Sequence, residues 1–235
     1  MSAGSDVRGA IKALISHFGK TFSEELGINL NKGEEEVFKW FLASLLYGAP
    51  IGGNIVVRTY KEFEERGLIT PEAIVNAGWD SLVDALDAGG YVRYDFKTAT
   101  KILEACKNLL DRYGSLEILH DEASSPRDLE KRIKGLAKGI GDTTVELFLR
   151  ELRGIWEKAE PFPGKLAVLA AINLGFTERD PSERGLILSD LKALWKKFGK
   201  GPFPVFEAAL VRLGRDFCKK NKCSQCPMRE FCRRR

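Results

Sequence analysis

Apolar positions along this chain recur at intervals of three and four, the spacing that lines one face of an α-helix. Nowhere do they alternate with the period of two that marks a half-buried strand. Val7, Ala10, Ile11, Leu14, Ile15 and Phe18 form a first stripe, which stops at Gly19. Val37, Trp40, Phe41, Ser44, Leu45 and Tyr47 form a second, opened by acidic Glu34–Glu36 and closed by Gly48, as the helix dipole and the glycine C-cap favour. Thr70-Pro71 opens a short helix, proline being at home in a first turn, and another starts near Trp79 and ends at Gly89-Gly90. A long helix is predicted from about Asp95 to Arg112, with Gly114 ending it. Segments 126–136, 142–152, 163–174, 186–198 and 204–217 complete the set. Short linkers rich in Gly and Pro join these segments, without internal repeats or low-complexity tracts. The pattern predicts an all-α protein of roughly ten helices.

The chain has 235 residues, enough for one large domain or two small ones, and its 44% hydrophobic content can fill a core. Charged residues at 30% and a mean hydropathy of -0.20 describe a soluble chain. No apolar run is long enough to span a bilayer, and Met1 to Asp6 lacks the basic and apolar parts of a signal peptide. A cytoplasmic monomer is therefore expected, with no membrane partner. The net charge of +4 is a weak hint of nucleic acid, but its distribution says more. From Arg215 to Arg235, eight basic residues stand against only Asp216 and Glu230.

That basic tail coincides with four of the five cysteines: Cys218, Cys223, Cys226 and Cys232. The fifth, Cys106, follows a helical apolar pattern with Ile102, Leu103, Leu109 and Leu110 and reads as a buried core thiol. Disulfides are not expected in a cytosolic chain of this size. The C-x4-C-x2-C-x5-C spacing puts four soft ligands on one short stretch, which suits a tetrahedral zinc site or an iron–sulfur cluster. Structural zinc sites commonly use two C-x2-C knuckles, whereas this run has one such pair, flanked by single cysteines and followed by Pro227. The spacing favours the cluster over zinc.

Upstream stands Leu136-Ala137-Lys138-Gly139-Ile140-Gly141-Asp142-Thr143-Thr144 between two predicted helices. Glycines on either side of Ile140 let backbone approach a ligand closely, and the free N–H groups opening the second helix suit a phosphate. The preceding helix carries Arg127, Lys131, Arg132, Lys134 and, just past it, Lys138. The same segment is also compatible with a plain helix-to-helix turn, Thr143 serving as N-cap and Glu146 as its capping-box partner. With the basic helix before it and the cysteine loop after it, DNA binding through Lys138, Gly139, Ile140, Gly141, Thr143 and Thr144 is the stronger expectation. His17 and His120 lie far apart and are expected to be structural. Tyr91, Arg93, Tyr94 and Asp95 either line a base pocket or cap and pack. The Phe203, Phe206 and Leu210 stripe reads as core.

Taken in order, these features resemble the endonuclease III-like DNA glycosylases of the helix-hairpin-helix superfamily. The likeness runs from about Glu34 to Cys232. It includes the helix Phe38 to Leu46, the Gly89-Gly90-Tyr91 turn before a helix containing Lys and Ala, the Gly139-Ile140-Gly141 hairpin and the terminal cysteines with Cys226-Pro227. The resemblance implies a bilobal all-α fold. Residues 30–154 would form a DNA-binding lobe with the helix-hairpin-helix at about 127–152. Residues 1–29 plus 155–235 would form a second lobe holding a 4Fe–4S cluster on the 218–232 loop. Double-stranded, lesion-containing DNA would lie in the cleft, with a damaged base flipped out of the stack.

Four positions depart from the family pattern. Four residues separate the first two cysteines, where the family usually has six. Thr143 stands where bifunctional members carry the lysine that forms a Schiff base with the sugar. The aspartate whose charge stabilises the oxocarbenium-like sugar falls on Pro161, next to Glu160, and Trp156 to Pro163 contains no aspartate. The intercalating glutamine falls near Ala49. Asp142 adds a negative charge at the phosphate-binding turn, which weakens that contact. The resemblance implies a monofunctional glycosylase in which Glu160 is the candidate catalytic carboxylate. A non-catalytic DNA-binding or damage-sensing protein of the same fold is the alternative, and an iron–sulfur redox or zinc-stapled structural protein the second.

Overall fold

The computed structural model describes residues 3–234, with side chains from Val7 onward. Met1, Ser2 and Arg235, which the expected second lobe and basic tail include, lie outside the described residues. Among the described residues there are twelve α-helices and no strand. In order these are α1 (Ala3–Phe18), α2 (Phe22–Glu25), α3 (Glu34–Tyr47), α4 (Gly53–Glu65), α5 (Pro71–Ala88) and α6 (Asp95–Arg112). After them come α7 (Leu116–Glu122), α8 (Pro126–Lys134), α9 (Asp142–Glu151), α10 (Lys165–Asn173), α11 (Arg184–Phe198) and α12 (Phe203–Leu213). None of these helices is long and apolar enough to cross a membrane.

Several expected elements shift. The two helices expected on either side of residue 78 are present and meet end to end within α5, which breaks at Gly78, whose φ of 77° and ψ of 179° lie outside the helical region. Thr70 caps it as expected, its hydroxyl accepting from the Ala73 N–H. Two helices, α2 and α4, were not expected. The last long helix ends at Leu213 rather than Phe217, and the chain passes through a wider π-type turn over Gly214–Cys218.

The chain forms two compact units, one of residues 23–161 and one of residues 1–22 with 162–235. The expected boundaries at 29/30 and 154/155 thus lie seven residues from those observed. In the continuous unit α3 is the central helix: every residue from Val37 to Leu46 except Lys39 is buried. Trp40 Nε1 donates to the Phe148 carbonyl at 3.1 Å, and Phe148 meets Phe41 and Trp156 edge-on. Such a helix, apolar all round, forms only where neighbours cover every face. Tyr91 is fully buried here and donates its hydroxyl to the Leu46 carbonyl, so it packs and does not line a pocket. His120 stacks on Trp156 with centroids 4.7 Å apart, the structural role expected of it.

In the other unit, Ala10, Ile11 and Leu14 of α1 join Ala167, Ala170 and Ala171 of α10 and Phe206, Ala209 and Leu210 of α12 in one core. Trp195 stacks on Phe206 at 5.1 Å, and Met228 of the cysteine loop closes the same core. The Phe206 and Leu210 stripe is therefore core, as its spacing predicts.

Candidate nucleic-acid interface and cysteine loop

The Gly-Ile-Gly segment is a hairpin between α8 and α9. Gly139 has φ of +94°, a conformation that side-chain-bearing residues rarely adopt. Ile140 is buried and anchors the turn, while Lys138, Gly139, Gly141 and Thr143 are exposed. Gly141, in extended conformation, is the N-cap of α9, and Asp142 is its first residue. Thr143 is therefore inside the first turn and is not the N-cap, so the expected capping box with Glu146 does not form. Thr144 is buried against α3: a Cβ added at Gly48 would meet its Oγ1 at 2.3 Å.

The charges around the turn differ from the expected basic face. Arg127 pairs with Glu130, Arg132 with Asp128 and Glu122, and Lys134 with Asp142. The Ser124 N–H, and after it the Arg132 guanidinium, hold the Asp128 carboxyl below the usual range. Asp142, expected to repel a phosphate, has its charge balanced by Lys134 across the turn. What the hairpin offers is chiefly backbone N–H groups and the positive end of α9.

A stripe on α6 holds this hairpin from beneath. Arg112 donates to the Gly135 carbonyl at 3.0 Å, and Asn108 to the Leu136 carbonyl at 2.8 Å. Glu104 accepts from the Lys138 N–H at 3.3 Å. Lys101 is only 9% exposed; its Nζ donates to the Leu45 carbonyl at 3.0 Å, and its Cδ lies 3.8 Å from where a Cβ on Gly139 would be. Burial pulls its pKa down from 10.5 to about 8. The spacing 101, 104, 108, 112 is one helical face. These residues were not singled out from the sequence, although a polar stripe at that spacing on an amphipathic helix was a legible signal.

Glu160 stands beside buried Pro161 in a loop that Arg153 fixes. Arg153, with a side chain only 4% exposed, donates to Glu160 Oε2 at 2.8 Å and also to the Pro161 carbonyl. Arg127 donates to the Glu160 carbonyl at 3.3 Å. The carboxylate thus has an ion-pair partner in Arg153.

All four terminal cysteines are free thiols, and Cys106 is buried in the core as expected, burial raising its thiol far above the ordinary value. Burial pushes the Cys218 and Cys226 thiols up, while the Asn173 side chain and the Met228 N–H respectively bond their sulfurs and oppose that rise. The charges of Cys223 and Cys232 add to the rise of both thiols. Arg233 secures the end of the segment, its N–H donating to the Asn173 carbonyl at 2.7 Å and its guanidinium to Glu178. Among the described residues no group of three or more His, Cys, Asp or Glu converges on a position for a single metal ion. A mononuclear site needs ligand sulfurs about 2.3 Å from one centre, whereas a cluster spreads its thiolates over several iron atoms. Four thiols on one short loop are the donor chemistry that either a cluster or a zinc ion takes.

The architecture defined by these elements is the two-unit helical fold of endonuclease III-like structures. The chain matches a solved structure of a trapped endonuclease III–DNA covalent intermediate, an estranged-adenine complex, at a TM-score of 0.57 and 18% identity. The match covers 99% of this chain and 97% of that one. No protein-family model matches the sequence, and no curated protein matches it significantly.

Proposed function

We propose that this protein binds double-stranded DNA and acts as a DNA glycosylase, hydrolysing the N-glycosidic bond of a damaged or mismatched base. The observation that carries this reading is the match of the whole chain to the fold of a protein trapped on DNA, together with a Gly139–Gly141 hairpin that offers free N–H groups. Lys138, Gly139, Ile140, Gly141, Thr143 and Thr144 form the contact to one DNA strand: the backbone grips a phosphate, Ile140 anchors the turn and Lys138 adds charge. Thr143 supplies no amine, so water is the nucleophile for base release. Glu160 is the candidate carboxylate for stabilising the oxocarbenium-like sugar, acting from its ion pair with Arg153.

The four cysteines would hold a 4Fe–4S cluster, zinc being the less suitable occupant. Bound there, the cluster would fasten the C-terminal loop to the α1, α10 and α12 core.

A panel of duplexes carrying uracil, thymine glycol, 8-oxoguanine, hypoxanthine or alkylated bases tests the reading. Base release is expected to appear as alkali-sensitive sites, and Glu160→Gln is expected to reduce it. Release unaffected by Glu160→Gln would keep the enzyme and remove that residue from it. The pairing of Glu160 with Arg153 favours a second reading, a non-catalytic DNA binder. Salt-sensitive binding without base release on any duplex would establish it.

A further inference from the structure

We propose that the exposed face of α5 and α6 around Trp79 and Phe96 docks a basic helical segment of a partner protein, one that carries an apolar anchor beside its cations. The inference goes beyond base release and does not rest on the hairpin. Two observations carry it: an aromatic pair fixed at the surface, and a stripe of carboxylates beside it that the chain's own cations leave unpaired.

Gly78 breaks α5 immediately before Trp79, and the helix restarts there. Trp79 is 37% exposed and Phe96, in the first turn of α6, is 58% exposed, with their ring centroids 5.4 Å apart. The indole is tied down: its Nε1 donates to Thr100 Oγ1 at 3.0 Å, and that hydroxyl donates to the Phe96 carbonyl at 2.8 Å. An aromatic surface already held in place loses little freedom when it is covered, which is why such residues anchor interfaces.

Asp80, Asp84 and Asp87 are exposed and follow at intervals of four and three, which puts them on one face of α5 beginning next to Trp79. Asp95, the first residue of α6, hydrogen-bonds Asp87 and extends the stripe toward Phe96. Among the described residues no Lys or Arg forms an ion pair with any of these four carboxylates. The cations closest in sequence serve elsewhere. Arg93 lies over the Tyr94 ring at 5.5 Å, and Lys97 continues the 101, 104, 108 stripe beneath the hairpin. Desolvation, and after it the like charges of Asp95 and Asp84, hold the Asp87 carboxyl above its ordinary value. Such a face repels a phosphate backbone and attracts a cation. An opposing helix with Lys or Arg at the same spacing meets Asp80, Asp84 and Asp87 together, while an apolar side chain beside them covers the indole.

The test uses the full-length protein and, as probe, a capped alanine-based helical peptide with arginines at intervals of four and three and one leucine beside them. Acrylamide quenching of tryptophan fluorescence reads the site, because Trp40, Trp156 and Trp195 are buried and Trp79 is exposed. The peptide at about 1 mM is expected to lower the quenching constant about twofold at an ionic strength of about 0.01 M, and to lose most of that effect at about 0.15 M. The same peptide with glutamates for arginines is expected to leave quenching unchanged. So is the arginine peptide added to the double variant Asp84→Asn, Asp87→Asn. No protection by the arginine peptide, equal protection by the glutamate peptide, or protection that survives both substitutions overturns the proposal. Protection by duplex DNA overturns it too, by assigning the face to nucleic acid, as does protection that rises with protein concentration alone, by assigning it to a second copy. The two peptides on the native protein decide the matter even if the double variant fails to fold.

Discussion

Replacing Lys101 with methionine should stabilise the protein at neutral pH, because the native residue is a charge kept out of water. A lysine with a pKa of about 8 in the folded chain and 10.5 in the unfolded one binds protons less readily when folded. Its contribution is therefore unfavourable wherever the unfolded state is protonated. The cost is fully present below about pH 8 and fades as pH rises through 10.5. At about 1.4 kcal/mol for each tenfold change in proton affinity, it is about 3 kcal/mol at pH 7 and about 1 kcal/mol at pH 10. Methionine fills a similar volume without charge but gives up the hydrogen bond to the Leu45 carbonyl, a loss of about 1–2 kcal/mol. Lys101→Met should thus gain about 1–2 kcal/mol at pH 7 and lose that advantage by pH 10. Urea unfolding of both proteins at pH 7, 8.5 and 10 measures the difference directly. A stability difference that stays constant across this range would refute the reasoning, since the pH-dependent part does not depend on the hydrogen bond.

Gly48→Ala places a methyl group 2.3 Å from Thr144 Oγ1 and should cost about 1–3 kcal/mol, with Thr144→Ala restoring part of the loss in a double-mutant cycle read by thermal melts. The two fully buried tyrosines of the continuous unit should respond oppositely to phenylalanine. Tyr91→Phe removes the hydroxyl bonded to the Leu46 carbonyl and should cost about 1 kcal/mol, whereas Tyr60→Phe removes a buried hydroxyl with no hydrogen-bond partner and should be neutral or stabilising by about 1 kcal/mol, both read by denaturant unfolding. Cys226→Ser should abolish the visible absorbance and iron content of protein purified without oxygen. Unchanged iron content in that variant would exclude Cys226 as a ligand.

Much of the helical architecture was legible because a packed helix must present apolar residues every three to four positions. The places where that reading erred have physical causes. In α4 the buried Val56, Tyr60 and Phe63 follow the rule, but the helix opens at Gly52-Gly53 and continues through β-branched Ile55, Val56 and Val57, a start that local propensity disfavours. At the hairpin, Thr143 looks like a cap by residue type, yet extended Gly141 already ends the turn and begins α9. The candidate site was legible where chemistry is local, as in the cysteine spacing and the glycine pair. It was not legible where chemistry depends on long-range packing. Nothing near residue 101 announces that a carbonyl 56 positions earlier and a glycine in the hairpin enclose its amine. Likewise, the Arg153 that occupies Glu160 is a neighbour in sequence, but only the folded loop turns it inward.

The order of segments along the chain has a consequence for biosynthesis. Residues 23–161 are contiguous, so that unit has all its contacts available once Pro161 has left the ribosome. The first helix is in a different position: Ala10, Ile11 and Leu14 belong to a core whose other buried residues all come from Ala167 onward. Its apolar stripe must therefore stay uncovered while more than half of the chain is made. A nascent chain stalled after Pro161 has cleared the ribosome should be protease-resistant from about residue 23 onward and sensitive before it. The N-terminal helix is thus the segment most exposed to mispairing or chaperone capture during synthesis, and it becomes protected only when the last long helix emerges.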